Sequence, residues 1–322
     1  MPPLAETTLQ RRLRVVLYYR ADDAPWEEGI WVKESLGEVL SFFPEIAGRL
    51  RRRADGSWDV KMNDAGVRFQ QATVEVTMED FLAHKDWARN EAALAPWVDV
   101  RAEDPDMCSL FFMQLSRFQD GGYAIGVSCT VLLSDPLSLA RFLLTWARTH
   151  SEMKEQNKIV QRPVMQYMEY FRRPEICCKR VKSFPIDSVA ADGISAQTVL
   201  FRTPGRSQTG DLRALAAACI NRASKELGVD RPLRFTLVVA PGNSARGATT
   251  VETAVTADVL DKGDAGHVLE ATMWNEMGLE ELTLRDVKPV HVSYRIVAGG
   301  DEGIVVVMPD GDGLFLTTTV PK

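Results

Sequence analysis

The chain has 322 residues, of which 45% are apolar and 25% charged, with a formal net charge of −6. That length exceeds one ordinary core and fits two domains of about 150 residues each. The acidic balance opposes nucleic-acid backbones and anionic membranes, so neither is expected as a partner.

Five cysteines, at 108, 129, 177, 178 and 219, form no CxxC and no even framework, which excludes a disulfide scaffold and points to a reducing compartment. The first residues hold no apolar stretch of signal-peptide length, and no later run approaches about 18 apolar residues. A chain that is soluble, or held at a membrane by another protein, is expected.

In chain order, LRVVLYYR (13–20) reads as a strand. WVKESLGEVLSFF follows as a helix with Val32, Leu36, Val39, Leu40 and Phe43 on one face, stopped by Pro44. In GRLRRRADGSWDV the basic run flanks Asp55-Gly56, which has the chemistry of a two-residue hairpin turn with a charged edge. LFFMQLSRF (110–118), a Gly121-Gly122 turn and YAIGVSCTVLL (123–133) read as a second hairpin. Tyr123, Ile125, Val127, Cys129, Val131 and Leu133 share one face of its second strand.

Asp135 and Pro136 then form a corner into a helix carrying Leu139, Phe142, Leu143 and Trp146 at helical spacing. Prolines 163, 174, 185 and 204 punctuate a weak stretch that reads as a crossover. Beyond it, Leu212, Leu215, Cys219, Ala223 and Leu227 make a helical stripe that Gly228 can close, and RFTLVVAP is a buried strand. VHVSYRIV (290–297), IVVVM and LFLTTTV (314–320) read as a closing meander. Mixed strands and helices in both halves give an α/β, or α+β layered, fold class.

Asp135 reads as a helix cap, and a catalytic role would need a base nearby. The adjoining positions are Cys129, Val131 and Leu133; valine cannot take a proton, and a thiol on an apolar face is a poor nucleophile. His84 and His150 lie beside charged residues, His267 follows KGDAG, and His291 alternates with Ser293 and Arg295, all as ordinary surface or sheet-face histidines. No metal spacing, GxSxG, P-loop or GxGxxG is present, so no metal site and no cofactor-binding residue is assigned. Cys177-Cys178 reads as an ordinary thiol pair, and Gly242 and Gly247 as loop glycines.

FFPEIAGRLRRRADGSWDV and AIGVSCTVLLSDPLSLARFLLTWAR together resemble the plant BAHD acyltransferase superfamily, which carries PLAGRL early and HxxxDG on such a strand-corner-helix unit. In that family the motif histidine deprotonates an alcohol or amine that attacks an acyl-CoA thioester, and the aspartate is structural. Matched residue by residue, Asp135 takes the aspartate's place, Val131 the histidine's and Pro136 the glycine's. The second motif, DFGWG before Lys-Pro, falls on TLRDVKP (283–289), where only Lys288 and Pro289 match. The stretches 95–109, 121–136 and 274–309 resemble the eceriferum and glossy wax proteins within the superfamily. Those proteins are implicated in very-long-chain elongation with a ketoacyl-CoA synthase, a role thought not to need acyl transfer.

The resemblance implies a two-domain CoA-dependent acyltransferase fold, chloramphenicol acetyltransferase-like, with a shortened second domain. The expected divisions are 1–155 with the degenerate corner, a 156–205 crossover, and 206–322. It also implies a monomeric, non-catalytic partner of the fatty-acid elongase in cuticular wax synthesis, at the cytosolic face of the endoplasmic reticulum or in the cytosol. No cofactor of its own is expected, acyl-CoA entering only through the resemblance. Two alternatives stand beside it: an acyl-CoA-dependent O- or N-acyltransferase, transferring groups other than aminoacyl, with an unrecognised base, and a truncated gene product.

Overall fold

The computed structural model describes residues 1–22, 27–156, 196–204, 211–241, 249–257 and 268–322. Most of the expected crossover, Cys177, Cys178, Gly242, Gly247 and His267 lie outside these residues. The strands are β1 (Arg12–Tyr19), β2 (Arg49–Arg52), β3 (Trp58–Lys61), β4 (Arg68–Thr73), β5 (Phe111–Arg117), β6 (Tyr123–Thr130), β7 (Ala196–Thr203), β8 (Arg234–Val239), β9 (Thr250–Val255), β10 (Glu270–Thr272), β11 (His291–Val297), β12 (Gly303–Asp310) and β13 (Gly313–Pro321). The helices are α1 (Glu6–Leu9), α2 (Gly29–Leu40), α3 (Met78–Ala83), α4 (Trp87–Asn90), α5 (Pro136–Glu155) and α6 (Leu212–Leu227).

One sheet has the order β11-β1-β6-β5-β4, a second the order β10-β7-β13-β12-β8-β9, and β2-β3 is a separate hairpin. The α/β layering expected from the sequence is present. Alternation along the strands assigns the layers. In β12, Val305 and Val307 pack with Leu215, Cys219 and Ile220 of α6. Ile304, Val306 and Met308 instead join the large cluster that also contains Val15 and Leu17 of β1, Val127 and Cys129 of β6, and Leu139, Phe142 and Trp146 of α5. The other face of β1 and β6, through Val16, Tyr18 and Ala124, packs on Phe81 and Leu94.

Gly126 permits that close approach. A Cβ there would lie 2.0 Å from the Leu94 carbonyl oxygen, so only glycine lets the 91–95 turn press on the strand.

Three local expectations need correction. The Asp55-Gly56 hairpin uses a three-residue loop instead of a two-residue one, Arg53 N–H donating to Ser57; the hairpin expected at Gly121-Gly122 is present with the same format, Phe118 N–H donating to Gly122, and Gly56 and Gly121 stand at φ 81° and 85°. This is a type I turn followed by a left-handed glycine, which keeps the strand twist as well as the two-residue form does. The closing meander is only half formed. β12 pairs with β13, but β11 leaves them and pairs with β1, Arg14 opposite Arg295 and Tyr18 opposite His291. Finally, the strand expected over 123–133 ends at Thr130, because Leu133 and Ser134 turn their N–H groups back to the Thr130 carbonyl.

Candidate functional site

Val131 therefore opens the corner. Its N–H donates to the Arg11 carbonyl at 3.2 Å, and the Thr130 hydroxyl donates to the same oxygen at 3.2 Å, so the corner is tied to the entry of β1. The Arg11 side chain is itself buried, donating to the Ala298 carbonyl at 3.0 Å and to Glu302 at 3.0 Å. Asp135 accepts from the Ser138 N–H at 3.0 Å and the Ser138 hydroxyl at 2.6 Å, capping α5. Pro136 takes the first helical position, where its missing N–H has no partner to lose.

Val131, Asp135 and Pro136 thus lie together, and all three are buried. The isopropyl group of Val131, 1% exposed, belongs to the central apolar cluster along with Cys129 and Leu132. Burial also pushes the Cys129 thiol far above its usual range, so it stays protonated. The arrangement can cap a helix and fill a core. The Val131 side chain itself carries no proton acceptor.

The segment matched to the second motif forms a tight turn. Leu284 and Val287 exchange backbone hydrogen bonds of 3.0 Å each, with Arg285 and Asp286 at φ 50° and 64°. Lys288 pairs with Glu281 at 2.5 Å, and Leu284 is buried. α5 packs against the short turns Trp274–Met277 and Leu279–Glu281 that lead into this segment.

A buried polar constellation lies at the other end of α5. His150, expected as a surface residue, is 1% exposed; its Nδ1 is 3.0 Å from the Ser35 hydroxyl and its Nε2 3.1 Å from Glu27. The charged sequence neighbours of His150 misled because they occupy the outer side of the helix. The signal that could have found it is the stripe itself, since Leu139, Phe142 and Trp146 lead at helical spacing to position 150.

Serine, histidine and carboxylate in this order resemble a nucleophilic triad. However, Ser35 is fully buried, donates to the Val32 carbonyl at 3.0 Å and accepts from Trp146 Nε1 at 2.9 Å. A hydroxyl so enclosed binds helix α2 to α5 and meets no substrate.

His84 stays near the surface and accepts from the Asp86 N–H at 3.1 Å. His291 lies on the sheet face, between Tyr18 and Trp87. Beside them Glu91 is buried, accepting from Tyr18 at 2.8 Å and Ser293 at 2.7 Å. The basic run is engaged as well, Arg51 and Arg53 both donating to Asp59. Among the described residues no group of three or more His, Cys, Asp or Glu could hold a metal ion, and no helix is long and apolar enough to cross a membrane.

The family model described as "Transferase family" matches residues 12–191. The chain is similar to Protein ECERIFERUM 26-like of Arabidopsis thaliana, 30% identical over 168 residues, which is 51% of this chain and 39% of that protein. It is also similar to Tryptamine hydroxycinnamoyltransferase 2 of Oryza sativa subsp. japonica, 38% identical over 117 residues, 36% of this chain and 26% of that one. The matched stretches span less than half of either relative. Among solved structures, vinorine synthase superposes with a TM-score of 0.48 at 16% identity, over 98% of this chain and 89% of the other. The family model covers more than half of the chain, including the corner in which Val131 and Asp135 stand: the chain belongs to the transferase family of BAHD acyltransferases.

Proposed function

We propose that the chain is a non-catalytic member of this family that assists the fatty-acid elongase in making very-long-chain acyl groups for cuticular wax. The observation that carries the reading is Val131: the position matched to the general base holds a side chain without a proton acceptor, buried in the core. A positioned base contributes about 10² to 10⁴ in rate, so its loss removes most of the drive for acyl transfer. Similarity to an eceriferum protein supports the choice of pathway.

In this reading the partner is a ketoacyl-CoA synthase, met at the cytosolic face of the endoplasmic reticulum or in the cytosol. Acyl-CoA is encountered as the elongase's cargo. The divisions 1–155, 156–205 and 206–322 belong to the same proposal, with β11 reaching across to the first sheet.

The test is the fatty-acid profile of yeast expressing a plant ketoacyl-CoA synthase with and without this protein. Longer products with Val131 unchanged are expected. An unaltered profile, with the protein expressed and folded, overturns the reading for that synthase. The second reading, an acyl-CoA-dependent O- or N-acyltransferase with another base, is favoured by similarity to a hydroxycinnamoyltransferase. It requires CoA release in the presence of an alcohol or amine acceptor.

A further inference from the structure

Glu27 is a carboxylate only 1% exposed, and a buried charge is tolerated only when cations meet it. Its two oxygens serve different parts of the chain. Oε2 takes His150 Nε2 at 3.1 Å and Lys154 Nζ, both from the last turns of α5. Oε1 faces Arg285 Nε at 3.2 Å, an ion contact across 258 residues of sequence (285 minus 27) that lacks hydrogen-bond alignment.

Arg285 is one of two consecutive non-glycine residues with left-handed backbone, in a turn closed by the Leu284–Val287 bonds. Side chains with a Cβ resist that conformation, so it persists only where the surroundings hold it. In the family pattern DFGWG, Arg285 stands at a glycine, which would have carried no such resistance. The compensating contact visible here is Arg285 with Glu27.

We propose that Glu27 is a latch, fixing the 284–287 turn against helix α5 through Arg285 on one oxygen and His150 with Lys154 on the other. The strand-corner-helix unit and the segment of the second motif are thereby held by a single buried carboxylate. The inference is independent of the elongation reading, since it concerns only how the turn keeps its shape.

Hydrogen exchange of the full chain, read by mass spectrometry on peptides covering 282–290, 148–155 and 303–310, tests it. Arg285 is 40% exposed, so Arg285→Ala leaves the core packing alone. The expected result is exchange about two- to fivefold faster in 282–290, the range for an ion contact with one half-exposed partner. The rate in 303–310 stays at the parent value. Arg285→Gly, which loses the same contact but relieves the backbone, accelerates exchange less than Arg285→Ala. Glu27→Gln accelerates both 282–290 and 148–155. Unchanged exchange in 282–290 for Arg285→Ala overturns the latch, as does an equal acceleration of all three peptides, which would mark general destabilisation.

Discussion

Restoring the family's histidine by Val131→His separates a sealed corner from an open site that merely lacks its base. Val131 is 1% exposed among Cys129, Leu132, Leu139 and Phe142 of one cluster, and its backbone is pinned to Arg11. The nearby carboxylate of Asp135 is already engaged by Ser138. An imidazole placed there brings a polar group without a partner, costing about 1–3 kcal/mol. Its larger volume adds about 1–3 kcal/mol of overpacking. The sum, about 2–6 kcal/mol, is a large fraction of the roughly 5–15 kcal/mol that holds a domain together. Urea denaturation followed by tryptophan fluorescence measures the loss, and release of CoA from acyl-CoA with alcohol or amine acceptors measures any gain of chemistry. The expected variant has a clearly lower midpoint and no new activity. A variant that unfolds at the parent midpoint and releases CoA about 10² times faster or more would refute the reasoning, because it would mean that the position faces a working substrate channel.

Asp135→Ala removes the cap of α5 and lowers stability by about 1 kcal/mol, while Asp135→Asn keeps most of it; paired denaturation curves decide. Gly126→Ala forces a Cβ toward the Leu94 carbonyl and costs about 1–3 kcal/mol or more, read as a drop in melting temperature with an unchanged secondary-structure spectrum. The acid dependence of stability has two opposed contributions. Burial raises Glu27, but the hydrogen bonds and charges of His150 and Lys154 outweigh it and hold the carboxyl below its usual range. Its stabilisation is therefore complete above the ordinary carboxylate value of about 4.3 and is lost as pH falls through the lower folded value. Glu91, raised by burial against the pull of Ser293 and Arg14, acts in the other sense: its contribution is greatest at low pH and is lost as pH rises through the raised folded value. Urea midpoints from about pH 3 to 7 should show a flatter acid limb for Glu27→Gln and a smaller decline toward neutrality for Glu91→Gln.

What could be read from the sequence was what local chemistry determines. The helix stripes of α2, α5 and α6, the cap at Asp135 and the left-handed Gly228 each depend on residues within a few positions of one another. The hairpins were placed correctly, but the loop format at Asp55-Gly56 was not, because a three-residue loop differs from a two-residue one only in where the last ladder bond closes. The departure of β11 had no local signal at all. VHVSYRIV is as good a strand beside β12 as beside β1, and the choice is made by partners nearly three hundred residues away.

The corner was legible for a different reason from the buried cluster. A valine at the position matched to the base is informative only against a family pattern, and the pattern supplied the expectation of a histidine at that match. No pattern pointed to Glu27, whose partners come from α5 and the 284–287 turn. The two features nevertheless have a common physical basis. A catalytic base must stay reachable by substrate and keep an unshared lone pair, a requirement that conflicts with tight packing. Without that requirement the end of β6 can be filled by whatever packs best, and a β-branched apolar side chain fits a pleated, buried position. The glycines of the second motif would in the same way be replaceable once another contact held the turn, and Arg285 with Glu27 is such a contact. On the non-catalytic reading proposed above, the buried valine at position 131 and the Arg285–Glu27 contact are both places where packing stands in place of an open, reachable group.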